Sequence, residues 1–353
     1  MAQTADMRRD PGHAGQRATP ATADSEEFAR QADPFRRELL AHCYRMLGSV
    51  HDAEDLVQET MLRAWRSYAD FDAGRASMRT WLYRIATNAC LTALESRSRR
   101  PLPSDLTGPS DETDKLPAGR RPEITWLQPF PDALLGTDPA DPAAIVAARD
   151  SIRLAFVAAL QHLPAKQRAV LILRDVLAWR AAEVADLLDI TTAAVNSALQ
   201  RARAHLQQAA PAQDRAAEPA DASQREMAGR YVDAFVSADI AALTRLLADA
   251  VVLEMPPSPT WFSGRDAVAR FLGARALVTP DRWRMIPVGA NGQPAAGAYL
   301  RQDDGAYHAH SVQVFSATGA GVTWIAAFHE PGLFETFGLP LVYPEDGAGS
   351  AGG

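Results

Sequence analysis

The chain has 353 residues, more than one compact domain usually holds, and this points to two or three domains. A hydrophobic content of 47% excludes wholesale disorder. A formal charge of −7 excludes a binder that holds nucleic acid by overall charge, so any DNA contact must come from local basic surfaces. The two cysteines, Cys43 and Cys90, lie in apolar, helix-like segments and form no metal or disulfide pattern. They read as small buried hydrophobes in a reducing compartment. Residues 1–25 lack the apolar core of a signal peptide, and no stretch is apolar enough to span a bilayer. A soluble, cytoplasmic protein with an N-terminal tail is expected.

Residues 26–100 have a helical period. Leu39, Leu40, Cys43, Met46 and Leu47 form one apolar set; Leu56, Val57, Met61, Ala64, Trp65 and Tyr68 form the next, with Asp52 placed to cap it. A turn at Phe71-Asp72-Ala73-Gly74 precedes a third helix that Ser77 can cap. Its apolar side carries Trp81, Leu82, Ile85, Ala86, Ala89 and Leu94, and it runs into Arg97, Arg99 and Arg100. Residues 101–142 are rich in Pro, Gly, Ser and Asp and read as a linker. Within it, Ile124-Thr125-Trp126-Leu127-Gln128-Pro129-Phe130-Pro131 is an apolar island, expected to dock against a folded surface.

Residues 143–210 are helical again, with breaks at Pro164 and at 189–191. Residues 181–207 carry a helix-turn-helix pattern. Val184, Ala185, Leu187 and Leu188 form the inner face of its first helix. Asp189 stands at the turn, where a left-handed backbone is needed, and Thr191 can cap the second helix. Val195, Leu199, Ala202 and Leu206 would face inward. Thr192, Asn196, Ser197, Gln200, Arg201 and Arg203 would face outward, residue types that bond base edges and phosphates.

Residues 211–222 form a short Ala/Pro-rich linker, and a different domain follows at 223–340, with a tail at 341–353. One helical stretch to about Leu247 leads into Val251–Met255. Strand-like runs at 299–302, 306–315 and 322–329 are separated by Asn-Gly, Asp-Gly and Gly-rich turns. This is an α+β domain. His308 and His310 are expected on one strand face together with Val312 and Val314. No nucleophile or metal spacing accompanies them, so no enzyme, metal or cofactor is expected.

In the first helical region Asp55, Gln58, Glu59 and Arg63 recur at helical spacing opposite Leu56 and Met61, and a helix interleaving Arg with Trp follows. Aromatic rings beside cations suit single-stranded DNA, whose bases stack and whose phosphates pair. The motifs DAEDLVQETMLRAW, MRTWLYRIATNACLTALESRSRR and LPAKQRAVLILRDVLAWRAAEVADLLDITTAAVNSALQRARAHL, in that order, resemble the extracytoplasmic-function (ECF) type of sigma-70 family factor. The segment RYVDAFVSADIAALTRLLADAVVLEMPPSPTWFSGRDAVARFL resembles the opening of SnoaL-like domains of the ketosteroid-isomerase cone fold. The whole resembles the sigma-factor subgroup with a fused SnoaL-like domain, in which the extension is thought to replace a separate anti-sigma factor.

The resemblance implies two all-α domains, the second with a helix-turn-helix, followed by an α+β cone-shaped domain. It also implies core RNA polymerase (the β′ clamp helices and the β subunit) and promoter DNA as partners. Asp55, Gln58, Glu59 and Arg63 would then bind polymerase. Arg75, Ser77, Met78, Arg79 and Thr80 would capture an unstacked base, and Trp81, Arg84 and Asn88 would lie on the −10 helix. Thr192, Asn196, Ser197, Gln200, Arg201 and Arg203 would read the −35 element. Asp189 stands where Gly is common, and an extra cation usual after the Val is missing, so promoter preference does not carry over. Enzymes of the cone fold place an Asp or His base in the pocket, for which the resemblance makes Asp233, His308, His310 and His329 the candidates; the pocket also leaves room for an unknown small ligand. A helix-turn-helix regulator with a ligand-sensing or catalytic SnoaL-like domain is the alternative reading.

Overall fold

The computed structural model describes residues 20–96, 98–115, 117–135, 150–209 and 222–343. Its first unit is four helices: α1 (Pro20–Ala32), α2 (Arg36–Leu47), α3 (Val50–Arg66) and α4 (Met78–Glu95). α1 begins inside the stretch expected to be a tail. Helix α2 ends at Gly48, whose φ of 70° closes the last turn with a 2.7 Å bond to the Tyr44 carbonyl. A Cβ there would meet the Leu127 side chain at 2.8 Å, so glycine also admits the linker. The cap of α3 is Ser49, which accepts from the Asp52 amide at 3.1 Å. Asp52, expected as the cap, instead lies in the first turn and pairs with Arg100 at 2.5 Å. Ser77 caps α4 as its sequence suggests.

The second unit holds α5 (Leu154–Gln161), α6 (Ala165–Leu171), a π-helical turn at Ile172–Val176, α7 (Ala181–Leu188) and α8 (Thr192–Ala209). Asp189 does adopt the left-handed backbone, φ 52°, between α7 and α8, and Thr191 caps α8 through the Ala194 amide at 3.2 Å. Val184, Ala185, Leu187, Val195, Leu199 and Ala202 are buried.

The C-terminal unit contains α9 (Ala222–Val236), α10 (Ile240–Leu246), β1 (Leu247–Glu254), β2 (Trp261–Ser263), α11 (Arg265–Arg275), β3 (Trp283–Ala290), β4 (Gln293–Arg301), β5 (Tyr307–Thr318), β6 (Gly321–Phe328), α12 (Gly332–Thr336) and β7 (Val342–Tyr343). The single helical stretch expected here is two helices, broken where Ala238 takes φ 56° and Asp239 caps α10. The sheet runs β2-β1-β6-β5-β4-β3, and β7 adds to β5 within the stretch expected to be a tail. β1 and β6 are parallel; the other pairs are antiparallel.

The sheet is buried on both faces. One face, with Leu253, Met285, Phe315 and Ile325, packs on α9 to α11. The other, with Val312, Val314, Trp324 and Phe328, shares one continuous apolar cluster with both helical units and the linker. The chain is therefore a multidomain assembly of two all-α units and an α+β cone whose outer face is covered by the other two.

Register in β5 corrects one expectation. The pairing with β4 shifts between Ala298 and Tyr299, opposite Ser311 and Ala309, which leaves His310 as an extra residue. Val312 and Val314 therefore face the helical units, while His310 faces the inside of the cone. His308 lies outside that cavity and pairs with Asp304 at 2.8 Å. Asp233 is exposed on α9 and does not line the cavity either. The ring facing His310 is that of His329, with centroids 4.7 Å apart.

Candidate polymerase and DNA surfaces

On α3, Asp55, Gln58, Glu59 and Arg63 are all exposed. Glu59 and Arg63 hold each other at 2.6 Å across one helical turn. The same face carries Leu62 and Trp65, 50% and 49% exposed. Helical spacing places Trp65 with the apolar core side, but the structure leaves it half exposed beside Leu62. An uncovered Leu and Trp among carboxylates form an amphipathic patch of the kind that meets a partner.

The turn before α4 is built by Asp72, whose Oδ1 accepts from the Gly74 amide at 2.8 Å. Arg75 and Ser77 are exposed; Met78, Arg79, Thr80 and Trp81 are half-buried. Trp81 packs against Phe71 with centroids 4.9 Å apart, so it is partly core. Arg79 is tied down. Its Nε donates to both Glu38 oxygens at 3.0 Å, and its guanidinium lies 4.9 Å from the Tyr83 ring and 6.0 Å from Trp179 of the second unit. Arg84 donates to the Asp186 carbonyl on α7 at 2.6 Å. Asn88 is exposed.

On α8, Thr192, Asn196, Ser197, Gln200, Arg201 and Arg203 are all exposed on one side of the helix. Arg203 makes a forked pair with Asp175, at 2.7 and 2.9 Å. Two of the sequence-derived contact residues on α4 thus touch the second unit, one of them the first helix of the helix-turn-helix.

The three units meet at buried polar junctions. Arg168 of α6 donates to the Met46 carbonyl at the end of α2 and to Gln161 and Leu163 of its own unit. Burial lowers its pKa to about 10. Arg45 of α2 grips Ser151 through its carbonyl at 3.0 Å and its hydroxyl at 2.8 Å. The linker island is buried from Trp126 to Pro131, and the Phe130 ring lies 4.8 Å from Tyr44. Asn291, at the β3–β4 turn and fully buried, joins the linker, α2 and the start of the second unit. Its Oδ1 accepts from the Phe130 amide at 2.8 Å, and its Nδ2 donates to the Tyr44 hydroxyl at 2.9 Å and to the Ile152 carbonyl at 2.7 Å.

Three sequence profiles match in order along this architecture. Sigma-70 region 2 covers residues 32–100, Sigma-70 region 4 covers 153–206, and the SnoaL-like domain covers 228–329. The ECF RNA polymerase sigma factor SigG of Mycobacterium tuberculosis is 49% identical over 91% of this chain and 86% of its own length. The chain belongs to the ECF RNA polymerase sigma factors. SigJ of the same organism is 31% identical over 68% of this chain and 70% of its own length. The crystal structure of SigJ matches 90% of this sigma factor and 99% of that chain, with a TM-score of 0.57 at 25% identity.

Sigma factors of this family direct promoter recognition in transcription initiation by binding core polymerase and promoter DNA, and they are not an enzyme class. The region 2 match over the first unit leaves the alternative reading, a regulator that never joins polymerase, without support. Among the described residues no helix is long and apolar enough to cross a membrane, and no cluster of three or more His, Cys, Asp or Glu could hold a metal ion.

Proposed function

We propose that this sigma factor grips the β′ clamp helices of core polymerase through the exposed α3 face: Asp55, Gln58, Glu59 and Arg63, with Leu62 and Trp65 as apolar anchors. The uncovered Leu62 and Trp65 carry this reading, because the other large apolar side chains of α3, Leu56, Val57 and Met61, are packed inward. The β subunit is the further polymerase partner. The turn and first part of α4 (Arg75, Ser77, Met78, Arg79, Thr80, Trp81, Arg84 and Asn88) open and hold the −10 element. The outer face of α8 (Thr192, Asn196, Ser197, Gln200, Arg201 and Arg203) reads the −35 element. The C-terminal unit catalyses nothing. It acts in place of a separate anti-sigma factor, using the Asn291 junction to hold the two DNA-reading units against each other. The site of action is the cytoplasm, where polymerase works.

The test is a core-binding assay with run-off transcription. Asp55→Lys together with Glu59→Lys places cations where carboxylates stood on an exposed face, so the fold is kept while charge matching is inverted. Core affinity should fall at least about tenfold and transcription should fall with it, given that buried-edge charge contacts carry a few kcal/mol. Unchanged core binding by a normally folded variant would move the polymerase contact elsewhere.

A further inference from the structure

A row of four aromatic rings crosses the first helical unit and ends at the helix assigned to the −10 element. It starts at Phe28 of α1, whose ring meets Tyr68 edge-on, with centroids 5.3 Å apart and planes at 65°. Tyr68 lies nearly parallel to Phe71, with centroids 6.2 Å apart and planes at 12°. Phe71 then leans on Trp81 of α4, at 4.9 Å and 34°. Rings paired in offset or edge-on geometry attract beyond the area they bury, because the positive edge of one meets the negative face of the next.

The row is anchored at one end and open at the other. Phe28 is buried, 6% exposed, whereas Tyr68, Phe71 and Trp81 are half-buried. The Phe71 amide donates to the Tyr68 carbonyl at 3.1 Å, and Phe71 leads directly into the turn that Asp72 builds. The ring beside Trp81 is therefore held by the backbone that precedes α4. Arg79 of the same helix is fixed from another side, by Glu38 of α2 and the Tyr83 ring.

Helix α1 ends where the region 2 match begins, at residue 32, so that match assigns it no role. Its Phe28 is nevertheless built into the row, and α1 packs on α3 and α4. A ring that must receive an unstacked base gains most when it is already immobile, since its rotamer freedom is then lost on folding and not on binding. Base stacking on aromatic side chains is the contact that such a ring offers to a single strand.

We propose that Phe28, Tyr68 and Phe71 are positioning residues for promoter opening: the row, rooted in α1, holds the Trp81 ring in the orientation that receives an unstacked base of the −10 strand. This rests on the assignment of Trp81 to the −10 element. It gives α1 a part in strand opening and leaves polymerase binding to α3.

Phe71→Leu and Phe28→Leu test it, in holoenzyme assembled from the full chain and core polymerase, on a promoter template that the parent transcribes. Leucine keeps an apolar side chain at each position and removes the ring. Opening detected by permanganate, and run-off with it, should fall about fivefold in Phe71→Leu, the worth of one ring pair. Phe28→Leu should fall less, because Tyr68 and Phe71 remain between it and Trp81. Core affinity and melting temperature of Phe71→Leu should stay close to those of the parent. Phe71→Tyr, which restores the ring, should open the promoter as the parent does. A template whose −10 segment is left unpaired should bring run-off by Phe71→Leu most of the way back, since its strands are already apart. A merely structural defect would lower run-off equally on both templates, and that result would overturn the proposal. So would normal opening by both leucine variants while Trp81→Ala is defective. Normal opening by a folded Trp81→Ala would instead remove the −10 assignment itself, and the proposal with it.

Discussion

His42 is enclosed in the first helical unit, with one ring nitrogen 3.0 Å from the Thr87 hydroxyl and the other without a partner. Burial, with Arg45 and Arg79 nearby, lowers its pKa to about 3 from an ordinary 6.5. The unfolded chain therefore takes up a proton at this residue as pH falls below about 6.5, while the folded chain does not until near 3. Stability from the neutral ring is present above the unfolded value and is lost as pH falls toward the folded one. The slope is at most about 1.4 kcal/mol per pH unit for one such group. His42→Gln keeps a partner for Thr87 and removes the titration. Melting temperatures measured from pH 7 to pH 4.5 should fall less steeply in the variant than in the parent. Parallel curves would mean that His42 is protonated in the folded chain. Other single residues show where sequence reading stops. Ser49 and Asp52 are both good cap residues, and only the turn at Gly48 selects Ser49. Trp65 fits an apolar helix stripe by spacing, yet it is half exposed, because nothing in the stripe says how wide the neighbouring helices are. The exposed states of Asp55, Glu59, Asn196 and Arg201 were legible, since the opposite faces of their helices are plainly apolar.

The β3–β4 hairpin has the same lesson at the scale of an element. Asn291-Gly292 is a readable turn signal, and both residues take positive φ, 58° and 66°. Its burial was not readable, because its partners Tyr44, Phe130 and Ile152 are between 139 and 247 residues away in sequence. Strand β3, which leads into this turn, was missed. Its run Trp283-Arg284-Met285-Ile286-Pro287 places a proline in the middle, and proline fits a strand there because β3 is the sheet edge. Replacing Asn291 with Ala removes three hydrogen bonds from a buried junction and puts a residue without a polar tip into a left-handed turn. The cost should be on the order of 2–5 kcal/mol, the range for breaking a buried polar network. If the junction holds the units together, amide exchange should speed up at Leu127, Gln128 and Phe130 and in α5, ahead of the interior of the cone. Run-off transcription per molecule should rise in the fraction that stays folded. Exchange that accelerates evenly over the whole chain would show a global fold defect and no dedicated junction.

In the whole molecule, α4 touches the second unit directly: the Arg84 guanidinium meets the Asp186 carbonyl of α7, and Tyr83 lies 5.4 Å from Trp179, just before α7. On the proposed assignment, the −10 helix is therefore held against the first helix of the −35 reader. Two promoter elements spaced along a stiff duplex cannot both be reached by adjoining surfaces. The proposed reading therefore requires promoter engagement to separate the two helical units, which would also free Arg79 and Arg84 for DNA. The architecture of two helical units and a cone was legible from the order of the motifs. Their closed packing was not, because each unit has its own amphipathic pattern and the shared surfaces read as ordinary core. A reversible lock tests the closed state. Arg84→Cys with Asp186→Cys, joined by a short disulfide-containing bis-maleimide before core polymerase is added, ties α4 to α7. The native Cys43 and Cys90 are both buried and should stay unmodified. The linked protein should lose run-off transcription to background, and cleavage of the linker by a reductant should restore it to the level of the same variant left unlinked. Each substitution thus serves as its own control, since both states carry identical side-chain changes. Full activity in the linked state would mean that both readers engage DNA without separating, and the compact arrangement would then be the active one.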